Sequence, residues 1–131
     1  MDILKYITNL LLDDDLISQE IESRYFYYDV TEPSDTSSTF IVLAPIYDEP
    51  SVFVSNRYLS ESYTIQVDVE SYDRQTTEKI TKRIRSVLWD NHLKPTSSQL
   101  DKYFDETKRY VMSRRYQGTP KNQYYKGERI D

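Results

Sequence analysis

The segment Ser62-Tyr63-Thr64-Ile65-Gln66-Val67-Asp68-Val69-Glu70 alternates apolar and polar residues without a break. No other stretch constrains the fold as tightly. Successive side chains of an extended strand point to opposite faces, so Tyr63, Ile65, Val67 and Val69 share one side and Thr64, Gln66, Asp68 and Glu70 the other. The pattern predicts a strand with one buried and one wet face. At Asp73 the period changes. Its carboxylate suits a helix N-cap, where it accepts from backbone N–H groups that lack a partner in the first turn. Beyond it Thr77, Ile80, Thr81, Ile84, Val87 and Leu88 fall on one stripe of a 3.6-residue helix, with Lys79, Lys82, Arg83 and Ser86 opposite. Asn91 and His92 suit a frayed end, and Pro95 stops anything longer.

The rest of the chain supplies partners for this strand and helix. Ile3, Leu4, Ile7, Leu10 and Leu11 repeat at helical spacing, predicting an N-terminal amphipathic helix over 2–12. Asp13-Asp14-Asp15 ends it and caps a short turn through Leu16, Ile17 and Ile21. Tyr25-Phe26-Tyr27-Tyr28 reads as a short aromatic strand, and residues 31–38 as a turn-rich loop. Thr39–Ala44 is the only continuous apolar run, as expected of a strand covered on both faces. Pro45 and Pro50 bracket the polar stretch that follows. Val52-Phe53-Val54 and Tyr58-Leu59, around Ser55-Asn56-Arg57, predict a projecting hairpin arm between two core strands. Gln99–Phe104 and Lys108–Tyr116 read as a final pair of strands. The expected fold is therefore α/β (α+β): a mixed, largely antiparallel sheet of about four to six strands, flanked by an N-terminal helix and a central amphipathic helix. One domain covers 1–116, and 117–131 reads as a flexible tail.

Composition narrows the chemistry. With 131 residues the chain can bury one core. Its aromatic content is dominated by 13 Tyr, which tolerate half-burial at contact surfaces. With 0 Cys there is neither a disulfide framework nor thiol chemistry. No stretch approaches a membrane span, and the Met-Asp opening lacks the basic start of a signal peptide, so the chain reads as soluble. Only 2 Gly occur, both near the C-terminus, which argues against a phosphate-cradling loop. Asp48, Asp68 and Glu70 raise the question of a metal-dependent nuclease, but an acid stands where the lysine of such a site belongs. The sole His92 falls at a helix C-terminus, where a partial positive charge is favourable anyway, and no serine lies in a nucleophile-elbow context. The expectation is no enzyme, no metal and no cofactor.

Charge is distributed unevenly. Residues 1–73 carry 15 acids and 3 bases, net −12; residues 74–131 carry 7 acids and 14 bases, net +7. Either the halves interleave and neutralise each other within one molecule, or the subunit has an acidic and a basic side that stack against copies of itself. A rival reading is nucleic-acid binding by the basic helix 74–93 (Arg74, Lys79, Lys82, Arg83, Arg85) and the basic C-terminal strand (Arg109, Arg114, Arg115). The overall acidity opposes it.

The order of elements, the strand Tyr63–Val69 followed by a helix opening Thr76-Thr77-Glu78, the opening Met1-Asp2-Ile3-Leu4 helix and the Pro-containing loop before the arm resemble the tail-completion (tail-terminator) proteins of long-tailed phages of Gram-positive bacteria. The resemblance covers most of 1–116. It implies a structural protein of the virion, assembled in the host cytoplasm. Copies would form a ring, typically a hexamer, at the head-proximal end of the tail tube. The ring would stop tube polymerisation and meet the tail tube protein and the neck or head-completion protein, with DNA passing through it. A ring needs one patch on a subunit to meet a different patch on the next. The expected contributors are Asp48, Glu49 and Glu61 flanking the arm, and Lys79, Lys82 and Arg83 on the outer helix face. Trp89 shares a helix side with Glu78, Lys82 and Arg85, so it is either covered by the chain's own C-terminal segments or an anchor for a partner.

Overall fold

The computed structural model describes residues 2–31, 34–54 and 57–120, without the side chains of 47–61. It contains α1 (Ile3–Leu12), α2 (Asp15–Ile21), β1 (Tyr25–Tyr27), β2 (Phe40–Val54), β3 (Arg57–Ser71), α3 (Arg74–Asp90), β4 (Leu93–Phe104) and β5 (Arg109–Gly118). The strands form one five-stranded sheet in the order β1-β2-β3-β5-β4. β1 runs parallel to β2, and every other pairing is antiparallel. This is the expected α+β architecture.

The helices lie on one face of the sheet because the alternation in β3 leaves only one face apolar. Ile65, Val67 and Val69 on β3, Ile41 and Leu43 on β2 and Tyr116 on β5 meet Ile3, Ile7 and Leu11 of α1, Ile17 and Ile21 of α2, and Ile80, Ile84 and Leu88 of α3. Each helix begins on a side-chain cap. Asp2 accepts from the Lys5 amide, Asp14 from Ile17 and Asp73 from Thr76. Buried hydroxyls are satisfied locally: Thr81 donates to the Thr77 carbonyl at 2.7 Å, and Thr77 meets Ser71 Oγ at 2.6 Å. Arg24 binds α2 to the sheet, donating to the carbonyls of Thr39 and Glu20.

Tyr116 lies at the centre of this layer, and its burial pushes the phenol up to about 12. The unfolded chain loses that proton near pH 10 while the folded chain keeps it, so stability falls as pH rises from 10 toward 12. The slope is about 1 kcal/mol per pH unit. Tyr116→Phe should flatten that slope in denaturant titrations at pH 9, 10 and 11.

Several boundaries differ from the sequence reading. Asp13–Ile21 is more than a turn, because α2 is a helix of 7 residues. The helix ends before Pro95 as expected, but β4 starts at Leu93 instead of Gln99 and so carries Pro95. It tolerates proline because it is the edge strand, and a register shift between Pro95 and Gln99 absorbs the irregularity. β5 continues past Tyr116: Gln117 pairs with Thr64 and Lys94, and Gly118 with Tyr63 and Leu93. Residues 121–131, most of the expected tail, lie outside the described residues. The arm is the outer part of two continuous 15-residue strands, with register shifts beside both prolines.

Candidate assembly surfaces

The outer side of α3 is charged and partly committed to its own chain. Arg74 and Lys82 both pair with Glu78, at 3.7 and 2.9 Å, one helical turn apart on either side. These contacts, with the Lys82 hydrogen bond first, hold the Glu78 carboxyl below its ordinary range. Arg83 is tied to Asp14 across the helix layer, with Nε at 2.7 Å and Nη2 at 2.5 Å from Oδ1. Asp14 therefore caps α2 and anchors α3 at once, and the Arg83 hydrogen bond is the main cause of its lowered pKa. Lys79 is exposed and has no ion pair among the described residues. Trp89 is 49% exposed, with Lys94 Nζ 4.7 Å from its ring centroid. Among the described residues, the C-terminal strands do not bury it.

Beside α3 lies a groove of ≈ 470 Å³, walled by Arg74, Lys82 and Arg85 on the helix and by Gln99 and Asp101 on β4, with Met112 and Tyr116 beneath. It lies where α3, which meets β4 near Leu93 and Lys94, leaves Gln99 and Asp101 farther along that strand exposed. Arg114 crosses it to hold Asp101 with both terminal nitrogens, at 2.5 and 3.2 Å. The sequence marked Arg85 as part of the basic helix and a neighbour of Trp89, and Arg114 as part of the basic C-terminal strand. That Gln99, Asp101 and Met112 would join them around one groove was not legible, because nothing local says which strand residues come to lie beside α3.

The acids expected on the arm sit near each other along the ladder. Asp48 pairs with Tyr63, Glu49 with Ser62, and Glu61 with Pro50. Their side chains lie outside the described residues, so the structure brings the backbone positions together and carries no contact from them to Lys79, Lys82 or Arg83.

The sheet face away from the helices is polar and partly roofed. Arg109 lies over the rings of Phe40 and Tyr72, at 5.2 and 5.5 Å, donates to Thr36 Oγ1 and stands 3.9 Å from Glu70. Its buried Nε has no hydrogen-bond partner among the described residues. Glu70 is pushed up by burial; Arg109 pulls it back and Asp68 adds to the rise. Asp68 accepts from Gln66 at 3.2 Å. Among the described residues no three His, Asp or Glu side chains are grouped to hold a metal ion. Of the bases in the nucleic-acid reading, Arg74, Lys82, Arg83, Arg109 and Arg114 already face carboxylates of their own chain.

No protein-family model matches the chain, and no curated protein sequence matches it. Among solved structures it is similar to a chain of the assembly described as "Virion of native gene transfer agent (GTA) particle", with a TM-score of 0.62 over 87% of this chain and 90% of that one, at 6% identity. At that identity the likeness is one of fold: this chain has the architecture of a component of a virion particle.

Proposed function

We propose that the chain is a non-enzymatic structural subunit of a phage-like particle. In this reading it closes the head-proximal end of the tail tube as a ring, ends tube growth and joins the tail to the neck, while DNA passes through without specific recognition. The observation that carries the reading is the shared fold with a virion component over nearly the full length of both chains. The sheet order supports ring closure. β1, β2 and β3 come from the acidic segment and lie on one side, while β5 and β4 come from the basic segment and lie on the other. Arg83–Asp14 and Arg109–Glu70 stitch the seam. Such a subunit offers unlike flanks to its neighbours, as a heterologous contact requires. Deleting the protein from the particle that encodes it should give tails that overgrow or fail to join heads. Tails of normal length on filled heads would end the proposal.

Trp89 belongs to the same reading. Half-exposed beside Lys94, it supports little of its own core but offers a large aromatic to a partner. Trp89→Ala should weaken self-association by about 2 kcal/mol, roughly thirtyfold, in sedimentation equilibrium. The monomer's melting temperature should barely move. A large loss of monomer stability would make Trp89 a core residue instead.

A further inference from the structure

We propose that the groove between α3 and the β4–β5 hairpin receives the outer β2–β3 ribbon of a second copy of the chain. The inference rests on the self-assembly proposed above and names the surfaces that carry it.

Among the described residues the ribbon has no flanking strand. β1 last pairs with β2 at Leu43, and β5 last pairs with β3 at Tyr63. The rungs Glu49↔Ser62, Pro50↔Glu61, Val52↔Ser60, Phe53↔Tyr58 and Val54↔Arg57 lie beyond both. A two-stranded ribbon is marginal in water without a surface to rest on. Yet this one carries Val52, Phe53, Val54, Tyr58 and Leu59 in its sequence. Apolar residues of this kind favour an apolar contact, and among the described residues no third strand lies beside these rungs.

Charge selects the occupant. Residues 48–62 hold Asp48, Glu49 and Glu61 against Arg57, net −2. The groove presents Arg74, Lys82, Arg85 and Arg114 against Glu78 and Asp101, net +2. Opposite patches of this size steer encounter and fix register. The two surfaces are also separate. The ribbon leaves the sheet at the end where Tyr63 meets Gly118, whereas the groove runs beside α3 from Arg74 to Arg85. One copy can therefore give its ribbon to one neighbour and take the ribbon of another, the head-to-tail contact that closes a ring.

The absence of native cysteine makes the test direct. In particles assembled with the double variant Val54→Cys and Gln99→Cys, mild oxidation should yield a ladder of disulfide-linked copies. Replacing Gln99→Cys with Lys5→Cys on α1 should abolish the ladder. In the isolated protein, Lys82→Glu with Arg85→Glu should weaken self-association at least tenfold in sedimentation, with only a small drop in melting temperature, because both side chains are exposed and the Lys82–Glu78 pair is a surface one. Glu49→Lys with Glu61→Lys in that background should restore part of it. Oligomers or rings that form without the Val54–Gln99 ladder, and that ignore the groove reversal, would overturn the groove while leaving the ring reading intact. If neither particles nor concentrated protein hold more than one associated copy, both proposals fall.

Discussion

Gly118→Ala destabilises the protein by about 3 kcal/mol or more, the upper range for overpacking, and this is the largest single-site effect expected of the fold. A Cβ at position 118 would stand 1.8 Å from the His92 carbonyl oxygen, 2.9 Å from its carbon and 3.2 Å from Leu93 Cα. All three are backbone atoms, so no rotamer change relieves the clash. Only separation of the start of β4 from the end of β5 would. His92 ends α3 in the left-handed region, at φ 66°, and turns the chain into β4. The glycine therefore guards the point where the helix hands over to the edge strand. Thermal or urea unfolding of Gly118→Ala should show the loss, and hydrogen exchange should place it first in β4. A stability within about 0.5 kcal/mol of the parent, the usual range for a neutral surface change, would mean that β4 does not approach β5 as described.

Arg109→Ala should cost about 2–3 kcal/mol at neutral pH, below the range for breaking a fully buried pair, because both partners keep some contact with water. The change strands Glu70, removes a cation from the faces of Phe40 and Tyr72, and releases Thr36. The pH dependence separates these causes. Burial already raises Glu70, and Arg109 opposes that rise, so its removal lifts the carboxyl further. A raised carboxyl is protonated in the folded chain while still ionised in the unfolded one. The folded state then binds more protons, and stability increases as pH falls through the raised value toward the ordinary carboxylate range. The deficit of Arg109→Ala should therefore shrink between neutral pH and about pH 4.5, where an unperturbed glutamate titrates. Adding Glu70→Gln should remove the pH-dependent share and leave only the lost packing. A deficit unchanged by pH would assign the whole effect to the rings and the Thr36 contact.

The sequence carried the centre of the fold because that part is written in local periodicity. The alternation Ser62–Glu70 and the stripe Thr77–Leu88 each state a period and a buried side, and the structure buries Ile65, Val67, Val69, Ile80, Ile84 and Leu88. The edges were harder to read. Pro95 marks the limit of the helix, but a local reading does not extend the following strand back through it, although an edge strand needs no donor from its outer side. Gly118 looks like the onset of a tail, whereas its meaning is the close approach of His92, a contact set by tertiary packing. Pro45 and Pro50 looked like brackets around a polar stretch before the arm. The ladder absorbs both through register shifts and continues to Val54.

The proposed assembly surface was legible as charge and not as geometry. Counting acids and bases gave an acidic and a basic half and left open how they are arranged; the strand order places them on opposite sides of the sheet. Which bases are free was not legible. Arg83 finds Asp14 69 positions away, and no local pattern encodes that pairing. With Arg83 bound to Asp14 and Lys82 to Glu78, the bases of α3 without an ion pair among the described residues are Lys79 and Arg85, the latter in the groove shared with β4.

Cryo-electron microscopy of the particle that contains this chain tests the central claim most directly. The account predicts a closed ring of identical copies at the head-proximal end of the tail tube, each copy touching its two neighbours through two different surfaces. Density for the chain elsewhere in the particle, or copies related by a two-fold axis through one shared patch, would contradict it.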